Sequence, residues 1–195
     1  PSYIAIQESY MAVKEVLRMG NPTLRVKCEA VDPSELQTPE FKQLIQDMFE
    51  TMDAEDGIGI AAPQIGVSKQ VAIIGVPKEN PRYPDTDEDE EDEGDFDIVV
   101  VVNPKITVTD PTLRGFWEGC LSVPGLRGYV ERPSGVRVEF LDLDGKEQVI
   151  ETSSFAATVF QHEIDHLEGI LYVDRVSDKT KLAFMDEYLD YHEND

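Results

Sequence analysis

Two short phrases hold most of the metal-binding chemistry of this chain: GCLSVPG, with Cys120, and QHEIDHLEG, with His162, Glu163 and His166. One of its two cysteines and two of its three histidines lie in them. His162 and His166 are four positions apart, so on a helix both imidazoles leave the same face and can grip one ion. Glu163 follows the first of them and lies to one side, where its carboxylate can reach a metal-bound water without being a ligand. Two surface histidines rarely fall into this pattern by chance. The spacing therefore predicts a metal site, most economically one ion bound by residues from both phrases.

A catalytic ion needs a third protein ligand and one open position. In metzincin proteases the pattern continues to a third histidine after a glycine; here HEIDHLEGILY keeps Gly169 but offers Tyr172. In gluzincin proteases a glutamate on a later helix completes the site. Glu187 is at a suitable distance in sequence, but it sits among Asp186, Asp190 and Glu193, which read as a solvated face. Cys120 is the third candidate, a soft thiolate between Gly119 and Gly125, and its ordinary alternative is a buried inert thiol. The residues alone thus also admit a metallopeptidase with a carboxylate third ligand, or a non-catalytic binding protein stabilised by a structural ion.

The elements that must position these groups form an α+β pattern. In TPEFKQLIQDMFETMDAEDG, Phe41, Leu44, Ile45, Met48, Phe49 and Met52 share a helical face. Thr38 is the expected N-cap, Pro39 the first helical residue, and the helix is expected to stop near Asp56 and Gly57, where glycine can take the left-handed conformation. GIGIAAPQIG is too rich in glycine and proline for a regular element, VAIIGV reads as a buried strand, and IVVVVNPKITV as another. Between the strands, residues 85–97 hold ten carboxylates and read as an exposed, solvated hairpin loop. They lack the ligand spacing of a calcium loop. A further glycine-rich stretch around Cys120 precedes VRVEFLDLDGKEQVI, a hairpin turning at Asp144 and Gly145. SSFAATVFQHEIDHLEG is a helix that Ser153 or Ser154 can cap and Gly169 follows, and a last helix begins at Ser177. Strands followed by a motif-bearing helix predict an α+β fold, in one domain spanning 1–195.

Composition narrows the function. A net charge of −23 over 195 residues opposes a nucleic-acid face or an anionic membrane surface. No apolar run is long enough for a bilayer, and the first twenty residues lack the form of a secretory signal. Two cysteines form no disulfide framework. A cytoplasmic protein is expected, or an organellar one from which a targeting segment has been removed.

Three phrases, GIGIAAPQ, EGCLS and QHEIDHL, occur in the order of the three motifs of the peptide deformylases, and the chain from VLRMGNPTLRVKCEAVDP to LYVDR resembles that family as well. EGCLSVPGLRGYVER is closer to the subgroup shared by some bacteria and organelles than to the enterobacterial form. Ile60 stands where leucine is usual in the first motif, a volume-conserving change. The resemblance implies mostly antiparallel sheets packed around a central HExxH helix, with an N-terminal and a C-terminal helix, and removal of the formyl group from formylmethionine at the N-terminus of new polypeptides, with transient ribosome association as a further expectation. It assigns Cys120, His162 and His166 as ligands of one divalent ion, Fe²⁺ in the cell, with Zn²⁺, Ni²⁺ or Co²⁺ after purification. It makes Glu163 the proton carrier, and the Gln64 side chain and the Leu121 N–H donors to the developing oxyanion. Ile58 and Gly59 would line an extended peptide, Gly59 offering no side chain to obstruct it, and Val159 would contribute to an apolar pocket for methionine. Arg132 can pair with Glu118 to hold the cysteine loop; for Arg132 and Arg127 alike, surface exposure is equally compatible with the sequence.

Overall fold

The computed structural model describes residues 13–77 and 96–194. Its frame is a six-stranded antiparallel sheet formed by β1 (Gly59–Ala61), β2 (Val71–Pro77), β3 (Phe96–Cys120), β4 (Val123–Leu141), β5 (Glu147–Ser153) and β6 (Leu182–Phe184). The first five pair in chain order, and β6 adds to β4 through Leu126↔Phe184 and Gly128↔Leu182. Among the described residues four α-helices complete it: α1 (Pro39–Ala54), α2 (Ser154–Leu167), the single turn α3 (Tyr172–Arg175) and α4 (Met185–Tyr191).

The uninterrupted apolar run of β2 has a direct cause: both of its faces are covered. Ala72 and Ile74 point into a core shared with Val101, Val136, Val138 and the α2 residues Ala157, Val159, Phe160, Ile164 and Leu167. Val71 and Ile73 point the other way, into a core with Phe41, Ile45, Met48 and Met52 of α1. The central strands are thus clamped between two helices, with α2 carrying His162 and His166. Asn103, at φ +50°, lets β3 change register between Val102 and Lys105. Its side chain exchanges two hydrogen bonds with the Val31 backbone, each 2.8 Å.

Helix α1 begins as expected, Thr38 Oγ1 accepting from Phe41 N at 3.3 Å. Its end differs. The left-handed residue is Asp56, at φ +51°, while Gly57 N donates to Met52 O at 2.9 Å. GIGIAAPQIG is not irregular either: Gly59–Ala61 pairs with β2, and Ala62–Ile65 forms a 3-10 turn closed by Gly66 at φ +86°. The stretch around Cys120, expected to be a loop, is the tip of the long β3–β4 hairpin, with Cys120 paired to Val123 across Leu121 and Ser122. Strand pairing tolerates its glycines because register shifts absorb them, one lying between Glu118 and Cys120.

Neither serine hydroxyl caps α2: Ser153 makes no side-chain cap, and Ser154, at φ +57°, accepts from Arg114 Nη1 at 2.8 Å. The last helix starts at Met185 rather than Ser177, because Leu182–Phe184 is taken up as an edge strand on β4. Tyr188 is its buried residue, and Leu189 is exposed. The hairpin at Asp144 and Gly145 forms, with Gly145 at φ +76°. Of the acidic segment 85–97 only Phe96 and Asp97, which open β3, are described; the loop expected there lies outside the described residues. No helix among the described residues is long and apolar enough to cross a membrane.

Candidate metal centre

Helix α2 presents its two histidines beneath the hairpin tip. One ligand atom each from Cys120, His162 and His166 lies within 4.8 Å of the others, and Cys120 Sγ is 3.4 Å from His166 Nε2. The Nδ1 of His162 faces Glu118 Oε2 at 2.9 Å. A carboxylate only accepts, so this nitrogen carries a proton. Burial opposes a charge on the ring, but hydrogen bonds to Cys120 and Glu118 outweigh it and hold the His162 pKa well above the usual value, so Nε2 gives up a proton when it binds an ion. Burial pushes the pKa of His166 well down, so its ring is neutral. A thiol and two imidazoles suit a borderline-soft divalent transition ion, and the donor set therefore fits one. Glu187 is exposed on α4 and stands outside this cluster. Tyr172, where a metzincin would carry its third histidine, stacks on the His162 ring at 6.0 Å and donates its hydroxyl to Leu126 O at 3.2 Å.

Two glutamates flank the cluster. Glu118 is buried, and burial opposes its charge. Hydrogen bonds from His162 and from Arg132, at 2.6 and 3.0 Å, outweigh that and hold its pKa below the usual value. Arg132 is thus no surface residue; it is 2% exposed and also reaches Asp165 at 2.8 Å. Glu163 is equally buried, and burial pushes its pKa up to about 7. Its Oε2 has no hydrogen-bond partner among the described residues.

Gly59 lies against that carboxylate, and a Cβ there would stand 2.5 Å from Glu163 Oε1. The glycine is needed by the close approach of α2 to β1. Ile58, 39% exposed, precedes β1 and accepts from Gly75 N at 2.6 Å. Gln64 is buried. Its Oε1 accepts from Ala61 N at 2.9 Å, and its Nε2 donates to Ser122 Oγ at 3.1 Å with Cys120 Sγ at 3.6 Å. Leu121 follows Cys120 in the hairpin turn. Val159 is buried in the core between α2 and the sheet. Arg127 donates to Leu126 O at 3.1 Å and packs on Gly119, where a Cβ would lie 2.0 Å from its Nη1.

Sequence reasoning missed Asp165, Arg175, Tyr172 and Ser122. No signal pointed to Asp165, which shares its side of α2 with Thr158, Gln161 and His162, where a carboxylate reads as solvated.

An antiparallel sheet over an HExxH helix, with a cysteine brought beside the two histidines, defines a metal-dependent hydrolase of the α+β class. The chain belongs to the polypeptide deformylase family, whose model matches residues 13–182. It is 49% identical over 180 residues to a peptide deformylase of Leptospira biflexa, covering 92% of this chain and 96% of the relative. It is 43% identical over 174 residues to peptide deformylase 1 of Nitrosomonas europaea, covering 89% and 93%. Among solved structures it is similar to the Met-Ala-Ser-bound class I type b peptide deformylase of Acinetobacter baumannii, with a TM-score of 0.75 and 40% identity over 85% of this chain and 99% of that one. The actinonin complex of a peptide deformylase from Synechococcus elongatus gives a TM-score of 0.72 and 35% identity, covering 92% and 85%. The family consists of hydrolases that use a divalent metal to remove the N-formyl group from nascent polypeptides, and this chain is one of them.

Proposed function

We propose that Cys120, His162 and His166 hold the divalent ion with which this chain deformylates formylmethionine at the start of new polypeptides. The observation that carries the assignment is the meeting of one thiol and two imidazoles from separate phrases within 4.8 Å. An ion held there polarises a carbonyl oxygen and acidifies water. The remaining tasks fall to the protein.

The peptide adds to β1, an edge of the sheet, as a further strand lined by Ile58 and Gly59. The Acinetobacter relative binds Met-Ala-Ser, the tripeptide left when the formyl group departs from formyl-Met-Ala-Ser. Glu163 takes the proton of the attacking water at its unpartnered oxygen. As the water oxygen bonds to the formyl carbon and the C–N bond breaks, Glu163 delivers that proton to the amine nitrogen, so formate and a free N-terminus leave. Gln64 Nε2 and the Leu121 N–H donate to the formyl oxygen as it gains charge. Gln64 is held for this by its bond from Ala61 N and adds no charge of its own.

The ion in the cell is ferrous in this reading, and the chain acts as one catalytic domain in the cytosol, where formylated polypeptides emerge. The test is formate release from formyl-Met-Ala-Ser with metal analysis on the same sample. Anaerobically prepared ferrous protein turns the peptide over and loses activity in air. Cys120→Ala loses both the ion and turnover; full metal retention in that variant refutes the ligand assignment.

A further inference from the structure

Behind His162 runs a chain of charged side chains of which the reaction uses none directly. Glu118 Oε2 accepts from His162 Nδ1 at 2.9 Å, and Arg132 holds Glu118 through Nε at 2.6 Å and Nη2 at 3.0 Å. The remaining Arg132 nitrogen, Nη1, donates to Asp165 Oδ2 at 2.8 Å. Arg175, the last residue of α3, closes on the same carboxylate from the other side, Nε to Oδ2 at 2.6 Å and Nη2 to Oδ1 at 2.7 Å. Glu118, Arg132 and Asp165 are 5%, 2% and 9% exposed, whereas the Arg175 side chain is 43% exposed.

The charges balance only with Arg175 included. Without it, two buried carboxylates share one guanidinium, a costly arrangement in a poorly solvated site. Arg132 would then be drawn toward Asp165, and the two-bonded grip on Glu118 would loosen. A ligating histidine depends on the acceptor behind it for its tautomer and ring orientation.

We propose that Arg175 is a positioning residue for His162: by matching the charge of Asp165 it leaves Arg132 free to fix Glu118, and Glu118 holds the Nδ1–H of His162 so that Nε2 is the nitrogen turned to the ion. The inference rests on the assignment of His162 as a metal ligand. It adds that affinity for the ion is set partly by a half-exposed arginine outside the site.

The test is titration of metal-free protein with Co²⁺ against a competing chelator, following the absorption of the cobalt–thiolate centre. Arg175→Met is expected to bind cobalt about tenfold more weakly than wild type, in the range typical of outer-sphere partners. Arg175→Lys, which keeps the charge, should recover most of that loss. Adding Asp165→Asn to Arg175→Met should also restore affinity, because a neutral amide no longer competes for Arg132; a merely structural role would make the double variant worse than either single one. Unchanged affinity in Arg175→Met, or no recovery in the double variant, overturns the assignment of Arg175 alone. A wild-type protein that takes up no cobalt overturns the ligand assignment and this inference together.

Discussion

Glu118 and Glu163 stand on two sides of His162, and each is 5% exposed. Burial opposes the charge of both, yet their pKa values move in opposite directions, Glu118 down and Glu163 up to about 7. The difference lies in their partners. Glu118 takes bonds from His162 and Arg132, and every bond fixes a position. Glu163 has an oxygen without a partner among the described residues and a bare glycine backbone beside it. A buried carboxylate that is fully bonded serves as a fixture, and one left short of bonds is available to exchange a proton with a ligand.

Replacing each glutamate with its amide separates the two roles. Glu163→Gln should lower kcat by about 10²–10⁴-fold, the usual worth of a general acid–base, with one ion per chain still bound and the thermal midpoint little changed. Loss of the ion together with activity would show that Glu163 is a fixture after all. Glu118→Gln should behave in the opposite way. Removing the charge opposite Arg132 should destabilise the fold by up to about 3–5 kcal/mol, as expected when a buried pair loses one partner. Metal affinity should fall by roughly 10–100-fold. Denaturant unfolding and chelator competition measure the two; a variant as stable as wild type would erase the distinction.

Much of this contrast was hidden in the sequence, for a physical reason. Helix α1 is legible because its apolar residues recur at helical spacing and Thr38 and Pro39 mark its start. The pair His162 and His166 is legible because four residues on a helix bring two side chains to one face. Cys120 is different: it meets His166 across 46 residues of chain, and spacing says nothing about such a contact. Economy made Cys120 one of several candidates, and only the resemblance of the three phrases to a known family chose it among them. The pairing of Arg132 with Glu118 was legible only as one of two equal readings, and Asp165 and Arg175 are harder still, since charged residues are mostly exposed and the ordinary expectation places them in solvent. The long β3–β4 hairpin was obscured by glycines and prolines that register shifts accommodate, and the edge strand β6 by apolar spacing that also fits a helix.

Gly59 tests the open side of the site more gently. A methyl group there would press on the Glu163 carboxylate at 2.5 Å, so Gly59→Ala should cost about 1–3 kcal/mol of stability through overpacking. Because the carboxylate is displaced rather than removed, kcat should fall by less than in Glu163→Gln. A Gly59→Ala variant with full turnover and wild-type stability would mean that Glu163 has room to spare, contrary to its place against β1.

The smallest effect is expected where the same pairing chemistry is moved into solvent. Arg25 meets Asp174 through two bonds of 2.5 and 3.2 Å, a geometry close to that of Arg132 with Glu118. Both side chains are about 40% exposed, however, at 41% and 40%. Water can replace whatever the partner withdraws, and Asp174 keeps the Leu171 backbone N–H, which it accepts at 2.9 Å. Arg25→Met should therefore shift stability by no more than about 1 kcal/mol, the range measured for exposed pairs, and the shift should shrink further with added salt. Urea unfolding at low and high ionic strength provides the measurement. A loss approaching that of Glu118→Gln would mean that bond geometry, and not burial together with the lack of any alternative partner, sets what such a pair contributes.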